Sequence, residues 1–519
     1  MHASLDPDRP AVVMAASGAT TTYGALDERS ARLATWLRDA GLVVGDVVAL
    51  VLPNDLRWGD VVWACWRSGL VLAAIDWHLG AGELAPLMED AAPRCVITSA
   101  QLAPTVRAAV GHAGVDPRFL VVAADDGSDD DGSDDDGSDY DAAVEGTARD
   151  PALVETMGGR LLFSSGTTGR PKPFRDEPPG AHPTEVPVRN GVMMANLDFE
   201  PGACVYLSTG PAFHAAPIGF LQSVHQLGGT VVLMERFDAE GALAAIERHG
   251  VTHSQWVPTM FVRLLRLPEE VKRRYDLSTH RVAVHGAAPC PPEVKQAVMD
   301  WWGPIVYEYY GASEAYGRTS ITPEEWLAHP GSVGRPAGGH VRIADESGRH
   351  VPVGTVGVVW FVREDAAEPR RASDGSADLA ATGGWGSVGD LGRLDDDGYL
   401  YLSGRRGQTI ISGGVNIYPR EVEDLLALHP AVADVAVIGI PDDEFGERVL
   451  GVVAVADGVT PSDDLAASIV EDCRTRLAHH KCPRSIDFVD RVPRSDAGKV
   501  LVNDLLARYR STSTASVGP

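Results

Sequence analysis

Cysteine is scarce in this chain: six in 519 residues, at 65, 95, 204, 290, 473 and 482, with no CxxC pair among them. That spacing argues against a disulfide framework and suits a reducing, cytoplasmic setting. "HHKC" (479–482) is read as a polar turn before Pro483 rather than a metal site. A basic excess is missing too. Lys and Arg number 45 against 72 Asp and Glu, a net charge of −27, which argues against nucleic acid or an anionic membrane as partner. Any phosphate-bearing ligand must therefore be held by local donors and a metal. The start, "MHASLDPDRP", lacks the basic-then-apolar pattern of a signal peptide. The most apolar window, "VVWACWRSGLVLAAIDW" (61–77), is too short and too polar for a membrane span. It reads as a buried helix followed by a core strand.

What is present is enough apolar residue (44%) for ordinary globular folding, and a length that demands at least two domains. Short β-rich runs alternate with helical stretches. "DVVALVLP" (46–53) precedes a helical 56–69 and then "LVLAAID" (70–76); "RCVITS" (94–99), "CVYLST" (204–209) and "TVVLME" (230–235) continue the pattern. This alternation predicts an α/β fold with largely parallel sheets. "DDGSD" occurs three times in succession at 125–139, nine Asp in fifteen residues. Such a repeat has no apolar surface to bury and reads as a flexible loop. Near 404–414 the texture turns Gly-rich and basic. Beyond it come a helix ("PREVEDLLALHP"), a strand ("DVAVIGI") and an amphipathic helix (464–479). The chain is therefore divided into a large domain, 1–406, and a compact α+β domain, 407–519.

"FSSGTTGRPK" (163–172) follows the strand-like "GRLLF". It is not a Walker loop, because Pro171 stands where the second Gly would fall. It is still fit for an anion. Gly166 and Gly169 let backbone N–H groups approach closely; Ser164, Ser165, Thr167 and Thr168 add hydroxyl donors; Lys172 adds a cation.

Four further stretches follow in order: "EYYGASE" (308–314), "WGSVGD" (385–390), "GRRGQTIISGGVNIYPREVE" (404–423) and "PRSDAGK" (493–499). Together with the loop they resemble the signature set of the adenylate-forming superfamily: acyl-CoA synthetases, peptide-synthetase adenylation domains and luciferases. The resemblance runs from residue 22 to Lys499. It implies a large α/β domain with a small mobile C-terminal lid. It also implies ATP and Mg²⁺. Thr167, Thr168 and Lys172 would hold the β- and γ-phosphates, and Glu314, with Thr168, would ligate Mg²⁺, a hard cation that prefers oxygen. Tyr310 would stack on adenine, in the "YYGAS" segment of Tyr309, Gly311 and Ser313, while Gly286, Ala287 and Ala288 line the base. Asp390 would accept from the ribose hydroxyls, with Arg405 at the same ribose. Lys499 would be delivered by the lid to the carboxylate and α-phosphate, neutralising charge during in-line attack. The chain departs from the pattern at Pro173, where glycine is usual, at Ser313 for Thr, and at Gly407, the hinge position.

"PAFHAAPIGF" (211–220) matches the segment lining the acyl pocket. Where adenylation domains for amino acids carry an Asp, this chain has His214, so the acid should lack a free α-amine. Phe213, Ile218, Trp256, Val257 and the 286–288 strip suggest an apolar, aryl or medium acyl group. Only twenty residues follow Lys499, too few for a carrier domain. The acceptor is then diffusible, and "SGGVNIYP" resembles the version in which Gly413 and Gly414 border a pantetheine tunnel. The expected reaction is acid to acyl-adenylate, then CoA to acyl-CoA. A small amine as acceptor, with His214 as base, is one alternative; a non-catalytic nucleotide-binding relative is the other.

Overall fold

The computed structural model describes residues 2–123, 137–164, 172–189, 191–311, 316–345, 347–362, 384–412, 415–442, 445–495 and 498–513. The chain packs into two compact units. The first is Met1–Trp256 with Leu267–Ala283; the second is Val257–Arg266 with Val284–Pro519.

The first unit is built on parallel strands. One sheet has the order Gly137–Asp139, Arg118–Val122, Cys95–Ser99, Val47–Val51, Val71–Ala74, Gly159–Ser164, Lys172–Asp176. Every pairing is parallel except the last. "VVALV" sits at its centre, with Val48 registered on Leu72 and Cys95. All five of its residues are buried, as expected of a strand covered on both faces. The helices Arg57–Arg67, Ala81–Ala91 and Ala103–Ala113 lie between successive strands and make the long crossovers that parallel pairing requires. A second group of strands, His253–Trp256, Val205–Ser208, Thr230–Leu233 and Pro10–Met14, is also parallel, with Thr20–Thr22 added antiparallel. Each predicted run thus appears as a strand or helix within a few residues of its expected ends.

The repeat at 125–139 departs from its reading in one respect. Its last three residues form the strand Gly137–Asp139, and the Asp139 side chain caps the helix Tyr140–Gly146 by accepting from Ala142 N–H. A short carboxylate at a helix N-cap is favourable for the unpaired N–H groups there. The remaining repeat residues lie outside the described ones.

The second unit is mostly antiparallel, which composition did not foretell. Val306–Gly311, Arg318–Ile321 and Arg335–Pro336 pair in turn. A five-stranded sheet follows, of His340–Ala344, Gly357–Val362, Trp385–Gly386, Asp390–Leu394 and Leu400–Arg405. The C-terminal part centres on the hairpin Val432–Asp442 with Gly446–Val455. Its side chains alternate. Val435, Val437, Val449 and Val453 join one core with Val422, Leu426 and Ile469; Ala436, Ile438, Leu450 and Val452 join another with Leu505. Helices Pro419–Leu426 and Asp463–Arg476 supply the first cover and Val502–Ser513 the second. A period of two buried on both faces is what a sheet sandwiched between helices needs. Each fully buried Val or Leu contributes roughly 1.5–3 kcal/mol.

All six cysteines are free and buried, and "HHKC" falls in a turn in which the Cys482 N–H donates to His479 O. Among the described residues no helix is long and apolar enough to cross a membrane.

Candidate active site

The strand Val306–Gly311 carries Tyr309 and Tyr310, both half-buried, near its C-terminal end. Gly286 follows the strand Val282–His285 and lies against Tyr309. A Cβ at Gly286 would stand 2.9 Å from Tyr309 O and 3.0 Å from its ring, so any side chain would push the tyrosine away. Ala287, next in line, is exposed and has φ of +67°, in the left-handed region. An L-residue there is strained, and such strain persists only where surrounding structure imposes it, often beside ligands. Ala288 is half-buried. The expected base-lining strip is therefore brought together with Tyr309.

Tyr310 turns to a different partner. Its hydroxyl donates to Asp390 Oδ2 at 2.6 Å, and its ring stacks on Phe361 with centroids 5.8 Å apart. Asp390 and Arg405 face each other across paired strands. Arg405 Nε lies 3.1 Å from Asp390 Oδ1, an ion pair whose side chains are 31% and 18% exposed. A carboxylate held by one phenol and one guanidinium, yet still reached by solvent, can accept further hydroxyl donors. Tyr310, Asp390 and Arg405, 95 residues apart in sequence at the extremes, form one cluster.

Lys499 is exposed and sits at the end of a tight turn. Gly498 N–H donates to Ser495 O at 2.7 Å, and Ser495 N–H donates to Lys499 O at 2.8 Å. Gly498 has φ of +76°, which glycine alone adopts without strain. Sequence reasoning passed over the residue that holds this turn. Arg494 donates through one NH to Gly498 O at 2.7 Å and forks onto both Asp434 oxygens at 2.8 and 2.7 Å. The Arg immediately before the motif's Ser was the available signal.

In the first unit, the strands Gly159–Ser164 and Lys172–Asp176 are antiparallel, with Ser164 registered on Lys172. The first of them ends at the carboxyl edge of a parallel sheet, where open α/β sheets bind ligands. Ser165, Gly166, Thr167, Thr168 and Gly169 lie outside the described residues, as do Ser313, Glu314, Gly413 and Gly414. Gly311 ends its strand opposite Arg318. His214 is the half-buried N-cap of the helix Ala215–Gln226, its ring 4.3 Å from that of Phe213. Of the pocket residues named from sequence, Ile218 and Trp256 are core, 0% and 1% exposed. Trp256 donates its indole N–H to Ser254 Oγ at 2.6 Å. A neighbour that sequence did not single out is His78, whose ring lies 6.3 Å from that of Phe213 and whose Nδ1 is 2.9 Å from Asp76 Oδ1.

The described residues thus bring Gly286 against Tyr309, join Tyr310, Asp390 and Arg405 in one cluster, and place Lys499 on a tight turn. Comparison with known proteins identifies the family. Residues 1–367 match the family described as AMP-binding enzyme, and residues 421–499 match the AMP-binding enzyme C-terminal domain. The chain belongs to the AMP-binding enzyme family. It is an AMP-forming acid–CoA ligase, which activates a carboxylic acid as its adenylate and transfers the acyl group to CoA, using ATP and Mg²⁺. A feruloyl-CoA synthase from Amycolatopsis sp is 34% identical over 500 residues, covering 95% of this chain and 94% of that protein. A crystal structure of ATP-bound MatB from Rhodopseudomonas palustris is similar with TM-score 0.78 and 25% identity, over 98% of this chain and 99% of that one. An amide bond synthetase, McbA from Marinactinospora thermotolerans, is similar with TM-score 0.78 and 26% identity, over the same shares. Glu314 and Thr168 offer only oxygen, the donor type that suits Mg²⁺.

Proposed function

We propose that the acid is apolar and aryl-bearing and lacks a free α-amine, and that CoA outcompetes a small amine as its acceptor. The observation that carries the adenylation reading is the Tyr310–Asp390–Arg405 cluster, with Gly286 packed against Tyr309, the residue before Tyr310. In this reading adenine lies on the 286–288 strip with Tyr309 and Tyr310. Asp390 accepts from the ribose hydroxyls, and Arg405 fixes the carboxylate. Thr167, Thr168 and Lys172 hold the departing pyrophosphate, with Mg²⁺ on Glu314. Lys499 meets the α-phosphate and the attacking carboxylate. His214 walls the acyl pocket. We place the domain boundary at Gly407, whose φ of +83° and open surroundings suit a hinge. Six buried free thiols support a cytoplasmic setting.

A panel of ferulate, indoleacetate, dodecanoate and malonate, read by pyrophosphate release, tests the acid. Ferulate is expected to lead; release with malonate alone would overturn the apolar pocket. The acceptor is tested by competition, with CoA and a small amine supplied together and the product identified by mass. Acyl-CoA is expected. Amide as sole product, with CoA alone giving no turnover, would assign the second step to an amine and His214 to proton removal.

Asp390→Ala tests the ribose assignment. Losing a charge-assisted hydrogen bond costs about 1.5–3 kcal/mol, so the KM for ATP should rise by about 10- to 100-fold, with the KM for the acid nearly unchanged. An unchanged KM for ATP would remove Asp390 from the nucleotide site.

A further inference from the structure

The turn bearing Lys499 is held from two sides. One side is the Asp434–Arg494 fork. The other is the helix Pro258–Leu265, whose first turn faces Gly498: a Cβ built there would stand 3.4 Å from Thr259 Oγ1 and 3.8 Å from Val257 Cγ2. The C-cap residue of the same helix is Arg266. Its guanidinium donates to Ala433 O at 3.0 Å and to Val432 O. These carbonyls open the strand Val432–Asp442, one and two residues before Asp434. Three bonded links and one close approach therefore form a ring: Arg266 to Val432 and Ala433, along the chain to Asp434, through Arg494 to Gly498 O, with Gly498 facing Thr259. Lys499 is next to the last link.

The two halves of this ring differ in kind. Asp434 and Arg494 lie C-terminal to the boundary proposed at Gly407, and Arg266 and Thr259 lie N-terminal to it, although all four fall in one compact unit here. If the lid turns at Gly407, the contacts of Arg266 and Thr259 last only while the lysine turn lies against their helix. We propose that Arg266 is a positioning residue for Lys499, holding the lid strand and its lysine turn in place for adenylation and letting go for thioester formation. This rests on the reading of Lys499 as the adenylation lysine.

Guanidinium is well chosen for the task. It donates to two carbonyls at once in a fixed fork, whereas an exposed side chain of this kind contributes little to global stability. The expected result is thus kinetic. With ferulate as probe, Arg266→Ala should slow adenylation by about 10- to 100-fold, the range that follows from misplacing a catalytic group by about an ångström. The KM values for ATP and ferulate should stay within about two-fold, because uniform binding is untouched. Thioester formation from supplied feruloyl-adenylate and CoA should keep its rate, and the melting temperature should not move. Arg266→Lys, which reaches one carbonyl, should lose less. Arg266→Gln serves if the alanine variant folds poorly, with the same split expected.

The decisive measurement is the double variant. Once Lys499 is alanine there is nothing left to position, so Arg266→Ala should cost nothing more in adenylation. Fully additive losses, or equal slowing of both half-reactions, would overturn the inference and leave Arg266 a structural contact. If Lys499→Ala alone spares adenylation, the reading of Lys499 has failed instead, and that is seen without touching Arg266.

Discussion

Lys499→Ala is expected to slow acyl-adenylate formation by about 10²- to 10³-fold, the cost of removing a preorganised charge from a transition state, and to leave thioester formation from supplied acyl-adenylate largely intact. The reasoning starts from charge. The acid arrives as a carboxylate and attacks an α-phosphate that is itself anionic, in a chain whose net charge is −27. The repulsion must be met locally. Lys499 is solvent-exposed on a turn whose backbone is fixed by four hydrogen bonds among Arg494, Ser495, Gly498 and Lys499. A long side chain on a backbone fixed in this way suits a group that must reach a reacting centre without reorganising its support. In the second half-reaction a neutral thioester forms while AMP leaves, so the same cation has less to stabilise. Single-turnover assays of each half, with the acid chosen from the panel, check this. Equal losses in both halves would remove Lys499 from its place at the α-phosphate.

Parts of this architecture were legible because they depend on local composition. "VVALV" is continuous apolar sequence, and only a strand covered on both faces uses it. The C-terminal hairpin was half legible: "DVAVIGI" announced a strand, but nothing in it announced its partner at Gly446–Val455. The antiparallel sheet of 340–405 was not foreseen. Its strands are short and mixed in polarity, and their pairing is decided by non-local contacts. Asp390 was found through the company of other motifs, and the structure then supplied the chemistry: Tyr310, read as an adenine platform, also donates to it. Arg266 had no signal. It stands among Arg263, Arg273 and Arg274, and its partners are main-chain carbonyls 166 and 167 residues away, which leave no mark in sequence. Glu308 was quoted inside "EYYGASE" with no role, because a carboxylate beside two tyrosines reads as a surface residue until its burial is known.

Glu308→Ala is expected to destabilise the second unit by about 3–5 kcal/mol, the cost of breaking a buried ion pair from one side. Glu308 is 7% exposed and Lys295 0%. The ammonium donates to Glu308 Oε2 at 2.9 Å and lies 4.9 Å from the Trp326 ring. His285 Nε2 is 3.3 Å from the same oxygen, poorly aligned for a hydrogen bond, and burial lowers the His285 pKa. Burial by itself would raise the Glu308 pKa, but the charge of Lys295, followed by His285, outweighs it and brings it down to about 2 from an ordinary 4.5. A depressed carboxylate pKa fixes the sign. The stability it contributes is fully present above pH 4.5 and is lost as pH falls through about 2. Between those values the protein should weaken with acid, and Glu308→Gln should flatten that part of the profile. Alanine leaves Lys295 charged and unpaired in the core, whereas Lys295→Met combined with Glu308→Leu removes both charges and should recover most of the loss. The site should feel the change as well. Glu308 directly precedes Tyr309, and His285 directly precedes Gly286, the two residues packed together where the base is proposed to lie. The KM for ATP of the alanine variant should therefore rise even at temperatures where it remains folded. Thermal melts from pH 2 to 7, read beside that KM, decide the matter: a variant as stable as the parent at neutral pH would show that Lys295 finds another partner, and the pair would lose its structural role.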